Sequence, residues 1–255
     1  MNSISSRNVT FADTTPQTAC HVVVPCAGSG TRAGGEGPKQ YQHLAGEPMV
    51  LHTLRAFAQT PGIAQVVVVV APEDSQMQPL LTQHADEWHG LSIQAPRIGG
   101  SSRAASVLAG LQYLRAQGAP DTGWVMVHDA ARCLITPSLI TALMQACRVD
   151  DVGGLLAVPL ADTLKAAVDQ RATQTIERTD KWQAQTPQMF RLGLLIQALQ
   201  AAQSCDFAGI TDEASALEQL GYTTRLVPAD AHNFKVTFPQ DFVLAEALLK
   251  LRQQG

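Results

Sequence analysis

Residues 21–32 read His21-Val22-Val23-Val24-Pro25-Cys26-Ala27-Gly28-Ser29-Gly30-Thr31-Arg32. A β-branched run passes straight into a glycine-bearing loop, as the first strand of an open α/β sheet does where its loop brings backbone N–H groups close to a ligand. Four more apolar runs of the same kind follow at 65–70, 91–95, 124–128 and 154–158, with helical patterns between them. Continuous apolar strands alternating with helices predict an α/β fold, a mostly parallel sheet with helices on both faces. The helical patterns are 49–60, the stretch after Ser101 and Ser102, 138–148, and 239–251 with Pro239 at a first helical position. In the second of these, Val107, Leu108, Leu111 and Leu114 share one face. The stretch 161–185 breaks the rhythm with two short segments, 162–168 and 173–178, around a polar turn at 169–172, and predicts a protruding β-hairpin arm.

The 255 residues are 45% hydrophobic and 16% charged, a composition that fills one large core. Eighteen Lys and Arg stand against 22 Asp and Glu, for a formal charge of −4 and no basic run. Binding of nucleic acid or a membrane surface by bulk charge is thereby excluded. The longest apolar stretch, near 66–71, is far shorter than the roughly 18 residues a spanning helix needs. Residues 1–18 are rich in Ser, Thr and Asn without an apolar h-region, which predicts a disordered N-terminal extension ahead of a domain at 19–255. Five cysteines, Cys20, Cys26, Cys133, Cys147 and Cys205, form no C-x-x-C pair, which points to a reduced, cytoplasmic protein without a zinc site.

The glycine loop continues through Gly34, Gly35 and Gly37 to Pro38-Lys39-Gln40-Tyr41. Gly28-x-Gly30-x-x-Ala33 also satisfies the dinucleotide fingerprint of an NAD-dependent dehydrogenase. That fingerprint must open a helix at once, and the following glycines and Pro38 would break one; no second strand ending in an acidic residue follows about 20 residues on. Lys39 lies between Pro and Gln, so this is not a Walker loop either. What remains is a loop with two cations, Arg32 and Lys39, suited to a polyphosphate. The 124–128 strand ends in His128-Asp129-Ala130-Ala131-Arg132, placing Asp129 where open α/β sheets bind hard cations and Arg132 where it can face the same cleft. A histidine at a strand end is a packing group, and His128 is given no role. A thiol at Cys26, beside loop N–H groups and two cations, is expected either to be alkylation-prone or to be an inert small residue.

Together these segments resemble the 2-C-methyl-D-erythritol 4-phosphate cytidylyltransferases of the non-mevalonate isoprenoid pathway. The resemblance runs from Cys20 to about Arg252. Beyond the first loop and the 128–132 segment it rests on Gly99-Gly100 with Arg103 and 106–111, Asp162-Thr163-Leu164-Lys165, Thr186-Pro187-Gln188, Thr211-Asp212-Glu213-Ala214 and Asn233-Phe234-Lys235-Val236-Thr237. It implies a Rossmann-like nucleotidyltransferase fold whose hairpin arm interlocks a homodimer, and cytidylyl transfer from CTP to methylerythritol phosphate with release of pyrophosphate. The attacking phosphate is already anionic, so the chemistry needs cations and alignment more than a general base.

By the same resemblance Arg32 and Lys39 stabilise the α-phosphate, and Lys235 approaches the transferred phosphate. Pro25, Cys26, Ala27, Gly28 and Gly30 line the nucleotide site, and Gly100 and Ser106 meet cytosine. Asp129 sits near a divalent ion, Mg²⁺ or another, and with Ala130, Arg132, Thr163, Arg178, Thr186 and Thr211 it belongs to the methylerythritol phosphate side. The threonines 163 and 186 with Arg178 separate this reading from other sugar-phosphate nucleotidyltransferases on the same fold. Cys26, Cys133, Ser101 and His232 stand where the family commonly has Ala, Pro, an acidic residue and Asp.

Overall fold

A computed structural model describes residues 19–28 and 37–254. Gly30 and Arg32 of the predicted site, and the 1–18 extension, lie outside the described residues. The chain runs β1 (Cys20–Cys26), a 3₁₀ turn (Lys39–Tyr41), the short β2 (His43–Leu44) and β3 (Glu47–Pro48), and α1 (Met49–Ala58). It continues through β4 (Ile63–Val70), α2 (Met77–Gln83), β5 (Ser92–Gln94), α3 (Arg103–Ala116), β6 (Trp124–Val127), α4 (Pro137–Arg148) and β7 (Gly153–Pro159). Then come β8 (Leu164–Val168), β9 (Arg171–Ile176), β10 (Trp182–Arg191), α5 (Leu192–Gln203), α6 (Glu213–Gln219), β11 (Arg225–Pro228) and α7 (Pro239–Gln254).

Seven strands form one sheet in the order β11-β7-β10-β6-β1-β4-β5. β1 pairs in parallel with both β4 and β6, β4 with β5, and β11 with β7, whereas β10 is antiparallel to its neighbours β6 and β7. The continuous valine runs are explained by burial on both faces. Val22, Val24, Val66 and Val68 join one core with residues of α1 and α4, and Val23, Val67 and Val69 join the other with residues of α3 and α5. The α3 face anticipated from spacing, Val107, Leu108, Leu111 and Leu114, is buried in the second core. Gly110 allows that contact, since a Cβ there would sit 2.7 Å from Val23 Cγ1 and 2.6 Å from Val69 Cγ2.

The arm is an antiparallel hairpin of β8 and β9, exposed along nearly its whole length and paired to neither face of the large sheet. Its turn residues Asp169 and Gln170 have φ of 48° and 62°, the paired left-handed geometry that suits a two-residue hairpin. β10 and β11 are not apparent in the sequence pattern. β10 holds Pro187 in its interior and carries two more residues than β7 between the pairs Ala184–Ala157 and Gln188–Leu155. That irregularity releases Gln185, Thr186 and Pro187 from the ladder beside the carboxyl end of β6.

Candidate active site

The carboxyl ends of parallel β1, β4 and β6 open onto one edge of the sheet, where α/β folds collect ligands. Two adjoining cavities lie there, of about 420 and 260 Å³. Pro25, Cys26, Ala27 and Gly28 from β1 and its loop line the first, joined by Lys39, Gly100, Ser106 and Ala130. Arg132, Thr186 and Thr211 line the second. Asp129, Lys235 and Arg103 line both and form the wall between them.

Each side chain is held by identifiable bonds. Gln40 donates from Nε2 to the Cys26 carbonyl at 2.7 Å, tying the 3₁₀ turn to the end of β1, and Lys39 Nζ donates to the Val236 carbonyl. Across the cavity the Gly99 N–H donates to the Val70 carbonyl at 2.8 Å; a Cβ on Gly99 would sit 2.8 Å from that same oxygen. The Gly100 N–H donates to Ser106 Oγ at 3.0 Å, while Ser106 donates to the Ser102 carbonyl at 2.9 Å. Ser106, 3% exposed, therefore fixes the turn at Gly100 on the wall of the first cavity.

Asp129 is the meeting point. Its Oδ1 accepts from Arg103 Nε at 2.9 Å and its Oδ2 from Lys235 Nζ at 2.7 Å. Burial alone would raise the Asp129 carboxyl, but these two cations outweigh it and hold the group below the ordinary carboxylate range. Behind it, the Asp129 N–H donates to Thr186 Oγ1 at 3.0 Å, and His128 Nδ1 lies 3.1 Å from the same hydroxyl. His128 Nε2 faces the Arg132 carbonyl at 3.2 Å; a carbonyl only accepts, so Nε2 carries the proton and Nδ1 takes the Thr186 hydroxyl proton. Burial pushes the His128 pKa down to about 3, so the imidazole is neutral. Thr186 is thus a buried member of the scaffold under Asp129 as well as a wall of the second cavity.

Arg132 donates to the Asn233 carbonyl at 2.9 Å and to the Ala184 carbonyl at 3.3 Å, which fixes its position at the second cavity. Thr163 and Arg178 lie on the arm, both exposed, with Arg178 donating to the Ala161 carbonyl; neither lines the two cavities. Of the two expectations for Cys26, the alkylation-prone thiol is overturned. The residue lines the first cavity but is only 3% exposed, and burial raises the thiol far above its ordinary range, with the Asp74 and Asp129 carboxylates adding to the shift. An alkylation-prone thiolate does not form in such surroundings.

Sequence reasoning gave Arg103 no role, although the residue stands in a quoted motif. Its Nη1 and Nη2 donate to the two oxygens of buried Glu213 at 2.6 and 3.1 Å. The signal was available as a cation opening a helix, directly after the N-cap Ser102, where the helix dipole disfavours positive charge. For a metal, Asp129 is the only carboxylate among the described residues lining the first cavity, and no described cluster of three His, Cys, Asp or Glu side chains forms a site. A hard carboxylate oxygen suits Mg²⁺ as one ligand in a shell otherwise made of phosphate and water oxygens.

Residues 20–251 match the family model described as IspD: 2-C-methyl-D-erythritol 4-phosphate cytidylyltransferase. The chain belongs to this family. It is 49% identical over 235 residues to the 2-C-methyl-D-erythritol 4-phosphate cytidylyltransferase of Cupriavidus pinatubonensis, covering 89% of this chain and 92% of that relative. It is 56% identical over 244 residues to a bifunctional IspD/IspF enzyme of Albidiferax ferrireducens; the match takes in 96% of this chain but spans only 56% of that relative's length. Among solved structures, a 4-diphosphocytidyl-2C-methyl-D-erythritol synthase superposes with a TM-score of 0.79 at 35% identity, covering 92% of this chain and all of that one. The Francisella tularensis cytidylyltransferase gives 0.74 at 30% identity over 89% of this chain and 98% of its own. Members of the family transfer the cytidylyl group of CTP to methylerythritol phosphate, and this nucleotidyltransferase activity in isoprenoid biosynthesis is that of the chain. No helix among the described residues is long and apolar enough to cross a membrane.

Proposed function

We propose that the first cavity holds CTP and the second methylerythritol phosphate, with transfer occurring across the wall formed by Asp129 and Lys235. The observation that carries this reading is the sharing of that wall: one ion pair, at 2.7 Å, borders both cavities. A phosphate oxygen of methylerythritol phosphate attacks the α-phosphorus of CTP. A new P–O bond forms, the bond from that phosphorus to the bridging oxygen breaks, and the electron pair leaves with pyrophosphate. No proton needs to move, which fits cavities with no histidine among their described lining residues, the nearby His128 being neutral, buried and bonded on both nitrogens.

Cations then supply the rate. Lys39, and by resemblance Arg32, meet the charge that builds on the triphosphate, Lys235 holds the incoming phosphate, and Arg132 with Thr211 orients the second substrate. Asp129 would offer one oxygen to a divalent ion, most simply Mg²⁺, which when bound neutralises phosphate charge. Thr163 and Arg178 reach a site through the arm of a neighbouring copy in an interlocked homodimer, each active site being built from the loop of one chain and the arm of the other. The exposed Leu164 and Val168 of that arm are apolar surface such a dimer would cover. The place of action is the cytoplasm.

The assignment of cavities is tested by two opposite substitutions. Ser101→Trp, which fills the first cavity, is expected to raise KM for CTP about tenfold or more and leave KM for methylerythritol phosphate within about twofold. Arg132→Ala is expected to do the reverse. Equal effects on both substrates from either variant would overturn the assignment.

A further inference from the structure

Arg103 opens α3 against the positive end of the helix dipole, and no acidic residue lies in the first turn of that helix to offset it. The offset comes from elsewhere in the chain. Nη1 and Nη2 grip both oxygens of Glu213, itself 1% exposed, and Nε grips Oδ1 of Asp129 at 2.9 Å. Lys235 holds the remaining oxygen of Asp129 at 2.7 Å. Four charges of alternating sign, Glu213, Arg103, Asp129 and Lys235, therefore run from the first residue of α6 along the wall common to the two cavities. Their formal charges cancel, so Arg103 is committed to carboxylates and is not a spare phosphate ligand. The planar fork needed to meet two carboxylates at once is a property of guanidinium that an ammonium lacks.

We infer that Arg103, clamped by Glu213, is a positioning residue for the transfer reaction: it fixes the Asp129 carboxylate against Lys235, so that both cavities keep their common wall in register. Glu213 acts only through Arg103, and Arg103 only through Asp129. Freeing the clamp lets Asp129 turn about its side-chain bonds and carry Lys235 with it. A displacement of about 1 Å at such a wall costs on the order of 100-fold in rate.

This inference rests on the cytidylyl-transfer reading above, and a double-substitution cycle separates the two. Wild-type enzyme that made no product from CTP and methylerythritol phosphate would refute that reading and, with it, a positioning role for Arg103 in the transfer. Given turnover, Glu213→Gln is expected to lower kcat by roughly 10- to 100-fold while KM for CTP stays within about threefold. In an Asp129→Asn background, followed by single-turnover quench, the same change should cost less than about threefold, because its target is already lost. A role confined to holding the fold together would give the same fractional loss in both backgrounds, and that result, or a kcat for Glu213→Gln within about threefold of wild type, overturns the inference. Should Glu213→Gln lose its folded circular dichroism spectrum, Arg103→Lys enters the same cycle with the same expectations, since it keeps the charge and reaches only one carboxylate.

Discussion

Replacing Thr186 with valine keeps the shape of the side chain and removes one hydroxyl. That hydroxyl, on a residue 4% exposed, accepts from the Asp129 N–H at 3.0 Å and donates to His128 Nδ1 at 3.1 Å. The methyl that replaces it can do neither, so a buried N–H and a buried ring nitrogen lose their partners together. Each stranded buried group costs about 1–3 kcal/mol, so Thr186→Val should destabilise the fold by about 2–6 kcal/mol. For a domain of this size the melting temperature falls about 2–4 °C per kcal/mol, so a drop of roughly 4–24 °C is expected. Urea titration of wild type, Thr186→Val and Thr186→Ser measures the cost directly, the serine variant restoring the hydroxyl and most of the stability. A valine variant within about 1 kcal/mol of wild type, or a serine variant as weak as the valine one, would refute the bonding scheme under Asp129.

Lys39→Ala and Arg178→Ala should each lower kcat by roughly 100-fold or more, yet refolding the two together should restore about a quarter of wild-type activity, because half the dimers are mixed and each has one intact site. No recovery, with mixed dimers confirmed by mass, would show that the arm serves its own chain. Alkylation at pH 8 followed by peptide mapping should mark the exposed Cys205 and leave Cys26, Cys20, Cys133 and Cys147 unmodified in the folded protein; rapid labelling of Cys26 would contradict its burial. Stability should fall as pH drops below 6.5, because burial holds the folded His128 pKa near 3 while the unfolded chain takes up a proton at the ordinary value, a slope of at most about 1.4 kcal/mol per pH unit per group. His21, lowered by burial as well, acts in the same direction, so His128→Gln should flatten but not abolish the difference between urea midpoints at pH 7 and pH 5.

Four of the five strands legible in the sequence, β1, β4, β6 and β7, are those whose apolar residues are buried on both faces of the sheet, since a run of that kind has few other places to go, whereas β5 is a short, partly exposed edge strand. β10 was hidden because Pro187 sits inside it and half of it leads out of the exposed arm, so neither alternation nor continuous burial marks its length. β11, with three of its four residues exposed, has almost no apolar signature. At the site, Lys39, Asp129 and Arg132 were legible as charges at the ends of strands and loops, and Lys235 only through the family resemblance. Arg103 and Glu213 were not, because their meaning is a meeting of residues 110 positions apart that only the fold brings about. Thr186 could be picked out as a site residue but not as a support for Asp129, since its partners lie 57 and 58 positions away. Cys26 misled for a related reason: neighbouring cations in the sequence suggested a thiolate, while burial decides the outcome.

The central claim is that this chain joins CTP to methylerythritol phosphate by charge and alignment across a wall shared by two cavities. Pyrophosphate release, followed with CTP and methylerythritol phosphate against UTP, ATP and sugar-phosphate controls, tests it most directly. The account predicts release that requires both substrates, matches the diphosphocytidyl product mole for mole, and falls by at least about tenfold with any other nucleotide or acceptor. Release at a comparable rate with another sugar phosphate, or none with the expected pair, would contradict it.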